Sequence, residues 1–231
     1  GPPKPAAGPP KPAAGYPGMP LRLISLLCVS ELMREELLDL APARKGHFRM
    51  ESGHHGDLWL DLELLCLRAR PLARSAAELA KRLSTYAVDA VCGPLVEGAF
   101  VALTVALELD AEFSYSERFA HPQSDGLYPV EYRIPGTLRS RIRGKRVAIV
   151  NDVIGAGSAV RGTFTDLEAC GAEPVVIGAL LVLGSSASSF TADKHIALKS
   201  LSYLPNNLWV PSECPLCASG IPVEDLTAMP Q

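Results

Sequence analysis

The distribution of apolar residues along the chain predicts alternating helices and strands. Residues 21–40 place leucines between charged positions at the spacing of an amphipathic helix. Strands are predicted at 47–50, 57–62, 90–92, 113–115, 128–133, 146–150 and 175–183, and further helices at 71–83, 97–107 and 158–170. This alternation predicts an α/β fold, a mostly parallel sheet between two layers of helices, with ligands outside the carboxyl ends of the strands.

The strongest candidate for a binding site is the segment 146–161. Its apolar run 147–150 predicts a buried parallel strand, which ends at Asn151 and Asp152. The small residues 155–158 come next, and their backbone N–H groups can converge on a phosphate at a helix start. The two polar side chains can then reach sugar hydroxyls. The glycine spacing fits neither a dinucleotide-binding loop nor a P-loop. A loop for a phosphate beside polar groups for hydroxyls suits a sugar phosphate; the alternative is an ordinary strand, turn and helix without a ligand, which is common in α/β proteins.

Three segments carry a resemblance to the type I phosphoribosyltransferases. The segment 146–161 resembles their phosphoribosyl pyrophosphate (PRPP) loop, and its ending Ala159-Val160-Arg161 is most similar to the orotate-specific members. Residues 46–53 resemble the family's N-terminal Gly-x-Phe-x-x-x-Ser-Gly stretch, and residues 92–99 resemble its pyrophosphate loop. The three occur in the family's order, which implies a three-layer, mostly parallel sheet with a small N-terminal hood.

The resemblance also implies a reaction and its residues. The expected reaction transfers the phosphoribosyl group of PRPP to orotate, giving orotidine 5′-monophosphate and pyrophosphate in pyrimidine biosynthesis. Asp152 is the expected catalytic acid, and Arg161 the expected partner of the orotate carboxylate. The PRPP-binding set is Asn151, Asp152, Val153, Gly155, Ala156, Gly157, Ser158 and Ala159, and the pyrophosphate set is Gly93, Pro94, Glu97 and Gly98. Mg²⁺ is the expected cofactor, held mostly by substrate oxygens.

The chain departs from the family pattern at three places. Asn151 stands where the family has a first acid, and Glu51 stands where it has a substrate-binding lysine. The family's mobile loop carries a lysine that acts on pyrophosphate, whereas residues 113–134 contain no lysine. Arg118 and His121 are therefore the predicted replacements. The alternatives are that Asp152 caps the following helix and that Arg161 is a solvent-facing helix arginine.

Composition and charge indicate which partners, location and domain organisation to expect. The chain has 231 residues, a net charge of −3 and no basic cluster, so a nucleic-acid partner is not expected. Its longest apolar run, 175–183, is well short of the roughly 20 residues that span a bilayer, so no membrane partner is expected and a cytoplasmic location is predicted. The proline-rich repeat in residues 1–18 reads as a linker or cloning remnant, and 19–231 as one phosphoribosyltransferase domain with hood elements in about 19–65 and a C-terminal segment of about 200–231.

The six cysteines do not form a disulfide framework in a chain of this length. Cys214 and Cys217 have the spacing of half a zinc site, but no second C-x-x-C or H-x-x-x-H pair offers the other two ligands. No residue is therefore assigned as a metal ligand, and zinc at this pair is left open.

Two other functions are compatible with the same motifs. The protein could act on a base other than orotate, which Glu51 and the lysine-free loop both permit, or it could sense PRPP without catalysis. A homodimer with shared active sites is the expected assembly.

Overall fold

The computed structural model describes residues 33–120 and 127–226. The elements are α1 (33–40), β1 (Ala43–Arg49), β2 (His55–Leu60), α2 (Ala69–Leu83), β3 (Ala90–Pro94), α3 (Glu97–Leu109), β4 (Glu112–Ala120), β5 (Val130–Arg133), α4 (Gly136–Ile142), β6 (Arg146–Ile154), α5 (Ser158–Ala169), β7 (Glu173–Leu183), α6 (Ser186–Asp193), β8 (Ala197–Leu204), β9 (Leu208–Trp209) and α7 (Pro215–Ala218). The first helix is confirmed over 33–40; its predicted part before residue 33, and the proline-rich repeat, lie outside the described residues.

The central sheet has six strands in the order β5-β4-β3-β6-β7-β8. Only the β4–β5 pair is antiparallel, which confirms the predicted mostly parallel α/β sheet. Residues 147–150 of β6 are fully buried, as expected for a strand covered by helices on both faces. The sequence did not predict α4, α6, α7, β8 or β9. In β8, an edge strand, the buried Ser200 and Ser202 interrupt the apolar pattern by which a buried strand is recognised.

Two hydrophobic layers cover the sheet. One layer packs α1, α2 and α3 against it, and the other packs α4, α5 and α6. Small residues on α3, including Ala99 and Ala102, bring this helix close to β3 and β6. The chain leaves β3 into α3 on one face and leaves the neighbouring β6 into α5 on the opposite face. The two connections therefore diverge and open a crevice at the carboxyl ends of β3 and β6.

A second, smaller sheet forms a hood over that crevice. This hood sheet is antiparallel, in the order β1-β2-β9, so its strands come from both ends of the described chain. His55 and Gly56 pair with Trp209 and Leu208, and a single parallel bridge joins Phe48 to Glu224. The C-terminal segment thus returns to the N-terminal hairpin. Among the described helices, none has the length and apolar character needed to cross a membrane.

Candidate active site

A cavity of about 400 Å³ lies between the hood sheet and the carboxyl ends of β3 and β6. It is lined by the β1–β2 turn, the loop after β3, the segment from β6 into α5, and single residues of β4 and β5. The sequence-predicted residues that it brings together are Pro94, Glu97, Gly98, Arg118, Asn151, Asp152, Val153, Gly155, Ala156, Gly157, Ser158 and Ala159. Residues separated by more than sixty positions therefore share one cavity. His121 lies outside the described residues.

The loop from β6 into α5 has the geometry of an anion site. Gly157 is the N-cap of α5 and has a φ of 87°, a left-handed conformation that favours glycine. An added Cβ at Gly155 would meet nothing within 4 Å, so this part of the loop borders open space. The first backbone N–H groups of a helix have no intrahelical acceptors and carry partial positive charge, and those of α5 begin beside the cavity. The loop can thus bind a phosphate group.

The loop after β3 approaches the same space because its glycines permit close contact. A Cβ on Gly93 would lie 2.6 Å from the Gly98 carbonyl oxygen and 2.8 Å from Ala99 Cα. A Cβ on Gly98 would collide with the side-chain oxygen of Asn151. Asn151 in turn donates from Nδ2 to the Val153 carbonyl at 2.8 Å. Asn151 is therefore held within β6 and packs closely against the loop after β3, a structural role that the sequence did not indicate. Gly93 itself is buried beneath the cavity lining.

Asp152 is the buried carboxyl group of the cavity. It is 4% exposed, and its Oδ2 has no hydrogen-bond partner. Burial, followed by the charges of Glu97 and Glu63, raises the pKa of Asp152 to about 7. The sequence predicted that Asp152 lies at the tip of its strand. This prediction is wrong, because β6 continues to Ile154 and Asp152 lies within it. The capping alternative is also wrong, because Gly157 occupies the N-cap of α5.

Glu51 stands where the family has a lysine, and two neighbouring side chains bind its carboxylate. Arg118 Nε donates to Glu51 Oε2 at 2.7 Å, and the Tyr132 hydroxyl donates to Glu51 Oε1 at 3.0 Å. Burial and the adjacent Glu51 raise the pKa of Tyr132, which keeps the phenol protonated as a donor. Arg118 therefore sits beside the cavity, as predicted, but with its guanidinium in an ion pair. Tyr132 has no linear motif that could have identified it.

Arg161 lies next to the loop 155–158, outside the residues that line the described cavity. Its guanidinium stacks on Phe190, 4.5 Å from the ring centroid, and lies 5.5 Å from the centroid of Tyr128. Nε donates to the Ala156 carbonyl at 3.4 Å and Nη2 to the Ser186 carbonyl at 3.3 Å. The solvent-facing alternative is wrong, since these contacts hold the side chain between α5, α6 and the loop. Its orotate-binding role stays a prediction.

Two comparisons with known proteins identify the same family. The model of the phosphoribosyl transferase domain family matches residues 67–212. A curated orotate phosphoribosyltransferase of Thermotoga maritima is 30% identical over 193 residues, which cover 83% of this chain and 96% of that protein.

Two solved structures share the fold. An orotate phosphoribosyltransferase from Aeropyrum pernix superposes with a TM-score of 0.56 at 19% identity, covering 76% of this chain and 93% of that chain. An adenine phosphoribosyltransferase from Thermoanaerobacter pseudethanolicus reaches 0.57 at 18% identity, covering 74% of this chain and 99% of that chain. At these identities the two structures establish the fold alone.

Proposed function

Because this chain belongs to the phosphoribosyltransferase family, we propose that its cavity transfers the phosphoribosyl group of PRPP to orotate. In this reaction a ring nitrogen of orotate releases its proton and forms a bond to C1′ of PRPP as the bond from C1′ to pyrophosphate breaks. The products are orotidine 5′-monophosphate and pyrophosphate. The observation that carries the proposal is one cavity lined together by Asp152, the N-terminus of α5 and the glycine-containing loop after β3.

The roles of the cavity residues follow from the charges in this transfer. The α5 N-terminus and the loop 155–158 bind the 5′-phosphate through backbone N–H groups. The loop 93–98 faces the leaving pyrophosphate. Positive charge grows on the ribose as the C1′ bond breaks, and the ionised carboxylate of Asp152 stabilises it and accepts hydrogen bonds from ribose hydroxyls. Arg118 offsets the negative charge that develops on pyrophosphate.

Magnesium fits the donor set of this cavity. Asp152 has an oxygen without a partner, and Glu63 and Glu97 also line the cavity. Mg²⁺ prefers such oxygen ligands and usually keeps several waters and substrate oxygens. We therefore propose that these carboxylates face the metal that accompanies PRPP. When bound, magnesium neutralises negative charge on pyrophosphate as it leaves.

Orotate is the base that the observations favour. The curated relative from Thermotoga maritima is an orotate phosphoribosyltransferase, and Arg161 adjoins the phosphate-binding loop with a guanidinium suited to a carboxylate. Transfer to another base and PRPP sensing without catalysis are the competing functions. The homodimer with shared active sites, the absence of a nucleic-acid or membrane partner, and the cytoplasmic location stay predictions.

A direct assay separates these functions. Purified protein is mixed with Mg²⁺ and PRPP, and pyrophosphate release is measured with orotate, uracil, adenine, guanine and hypoxanthine in parallel. We expect orotate-dependent release and orotidine 5′-monophosphate as product. Release with a different base alone would reassign the substrate. PRPP binding without release for any base would support the sensor.

Arg161→Ala is expected to raise the KM for orotate far more than that for PRPP. Loss of one partner of a desolvated charge pair costs about 2 kcal/mol or more, which is roughly 30-fold in affinity. The measurement is steady-state kinetics with each substrate varied in turn. Arg141→Ala is the control, because Arg141 is exposed on α4 and pairs only loosely with Glu112. Equal losses for both substrates would mean that Arg161 supports the loop through Ala156 instead.

A further inference from the structure

Four metal-ligating side chains meet at the edge of the hood sheet, outside the residues that line the cavity. They are His47 of β1, His55 of β2, and the pair Cys214 and Cys217 at the start of α7. One ligand atom of each lies within 4.8 Å of all the others. Neither the family comparison nor the proposed transfer reaction assigns a role to this cluster.

The spacing of the ligand atoms resembles the edges of a zinc tetrahedron. His47 Nε2 lies 3.0 Å from His55 Nδ1 and 3.4 Å from Cys214 Sγ, and Cys217 Sγ lies 3.7 Å from His47 Nε2 and 3.2 Å from His55 Nδ1. Zinc bonds of about 2.05 Å to nitrogen and about 2.3 Å to sulfur, at tetrahedral angles, place ligand atoms about 3.3 to 3.8 Å apart. The side chains therefore need only small shifts to coordinate one ion.

The surroundings of His47 fit a ligand histidine. Its Nδ1 lies 2.8 Å from the Ile221 carbonyl oxygen, which can only accept, so the ring must donate from Nδ1. The tautomer with its proton on Nδ1 presents the lone pair of Nε2 to the cluster. Zinc-bound histidines commonly donate their second N–H to a backbone carbonyl in this way. His47 and Cys214 are each 2% exposed and His55 is 9% exposed, whereas Cys217 is exposed, so the group opens to solvent on the side of Cys217.

We propose that His47, His55, Cys214 and Cys217 bind one structural zinc ion. Two nitrogen and two sulfur ligands in a tetrahedral arrangement are typical of Zn²⁺ and unsuited to Mg²⁺. With all four positions supplied by the protein, no position remains for water or substrate, which distinguishes a structural site from a catalytic one.

The zinc would join the two ends of the described chain. β9 is only two residues long, and the segment after it contacts β1 through the Phe48–Glu224 bridge. A metal bound to β1, β2 and α7 would fasten this segment to the hairpin. The turn of the same hairpin places Met50, Glu51 and Ser52 in the cavity, so the zinc would also restrain Glu51, which pairs with Arg118.

Metal analysis of the wild-type protein is the primary test. Protein purified under reducing conditions without chelator is desalted, and its zinc is measured by mass spectrometry. The metal-free protein is then titrated with Co²⁺. We expect one zinc per chain, and for cobalt the visible bands of a tetrahedral site with a thiolate charge-transfer band in the near ultraviolet. Folded, reduced protein that takes up neither metal, or a Cys214–Cys217 disulfide in its place, would overturn the proposal.

Variants identify the ligands. Cys217→Ser and His55→Asn should each lose the bound zinc. When cobalt is added, Cys217→Ser should weaken the thiolate charge-transfer band, and His55→Asn should weaken the visible bands of the tetrahedral site. Cys66→Ser and His195→Asn are matched controls outside the cluster, and they should retain one zinc per chain. Chelation should lower the melting temperature of wild type and of both controls, but not that of the cluster variants. Full zinc occupancy in both cluster variants would contradict the ligand assignment, and this readout is independent of transferase activity.

Discussion

Asp152→Asn is expected to remove most of the phosphoribosyl transfer while raising the melting temperature of the protein at neutral pH. In the proposed transfer the lost carboxylate stabilises the developing ribose cation, and removal of one such electrostatic contact commonly lowers kcat by about 100- to 1000-fold. Stability should change in the opposite direction, because the carboxyl group is buried and its Oδ2 has no hydrogen-bond partner.

The gain in stability from Asp152→Asn should increase as the pH rises. The folded-state pKa of Asp152 is raised from 3.8 to about 7, so the folded protein binds this proton more tightly than the unfolded chain does. Ionisation therefore reduces stability by an amount that is absent at low pH, grows between the two values and is complete above about pH 7. Each unit of the pKa shift corresponds to about 1.4 kcal/mol, so the full effect is a few kcal/mol.

Thermal melts of wild type and Asp152→Asn at several pH values measure this effect. The difference between the two melting temperatures should widen with rising pH and level off above about pH 7. Asp193→Asn, an exposed acid at the end of α6, is the control and should show a small, flat difference. The wild-type kcat/KM should fall below about pH 7 as Asp152 becomes protonated. Wild-type turnover in Asp152→Asn would remove this residue from the mechanism.

Arg118→Ala is expected to lower kcat by roughly 100-fold, with a small effect on the melting temperature. Arg118 is the arginine that lines the described part of the cavity, and it can donate two parallel hydrogen bonds to phosphate oxygens. In the structure it pairs with Glu51, and its side chain is 45% exposed. The ion pair is therefore weakly stabilising, and the guanidinium can move to pyrophosphate at little cost.

A double-mutant cycle separates a catalytic role from simple neutralisation of Glu51. If Arg118 acts on pyrophosphate, Glu51→Gln will not restore kcat to the Arg118→Ala protein. If Arg118 only offsets the charge of Glu51, the double variant will regain most of the wild-type rate. Arg133→Ala on the neighbouring strand is the control, since Arg133 pairs with Glu131 and should leave kcat unchanged. A large loss in Arg133→Ala, with none in Arg118→Ala, would transfer the cationic role to Arg133.

The amino-acid sequence by itself determined the elements whose signals are local. The apolar run 147–150 predicted the buried strand β6, and the glycines after it predicted a turn into a helix, as Gly157 with its positive φ shows. Gly171, with a φ of 77°, directly follows the C-cap of α5, in agreement with the helix predicted to end at residue 170. The patterns for helices, buried strands and glycine turns each extend over only a few residues. The α/β fold and the two loops of the candidate site could therefore be predicted from the sequence.

Only the tertiary structure decided how the remaining site residues are used. The Glu51–Arg118 ion pair joins residues 67 positions apart, and the contact between His47 and Cys214 joins residues 167 apart. The two histidines of the proposed zinc site lie on paired antiparallel strands. Linear metal-binding motifs do not contain histidines at this separation along the sequence. The raised pKa of Asp152 depends on burial and on two distant glutamates. Such contacts are set by strand pairing and by the closure of the hood over the sheet, which no local pattern of apolar and polar residues specifies.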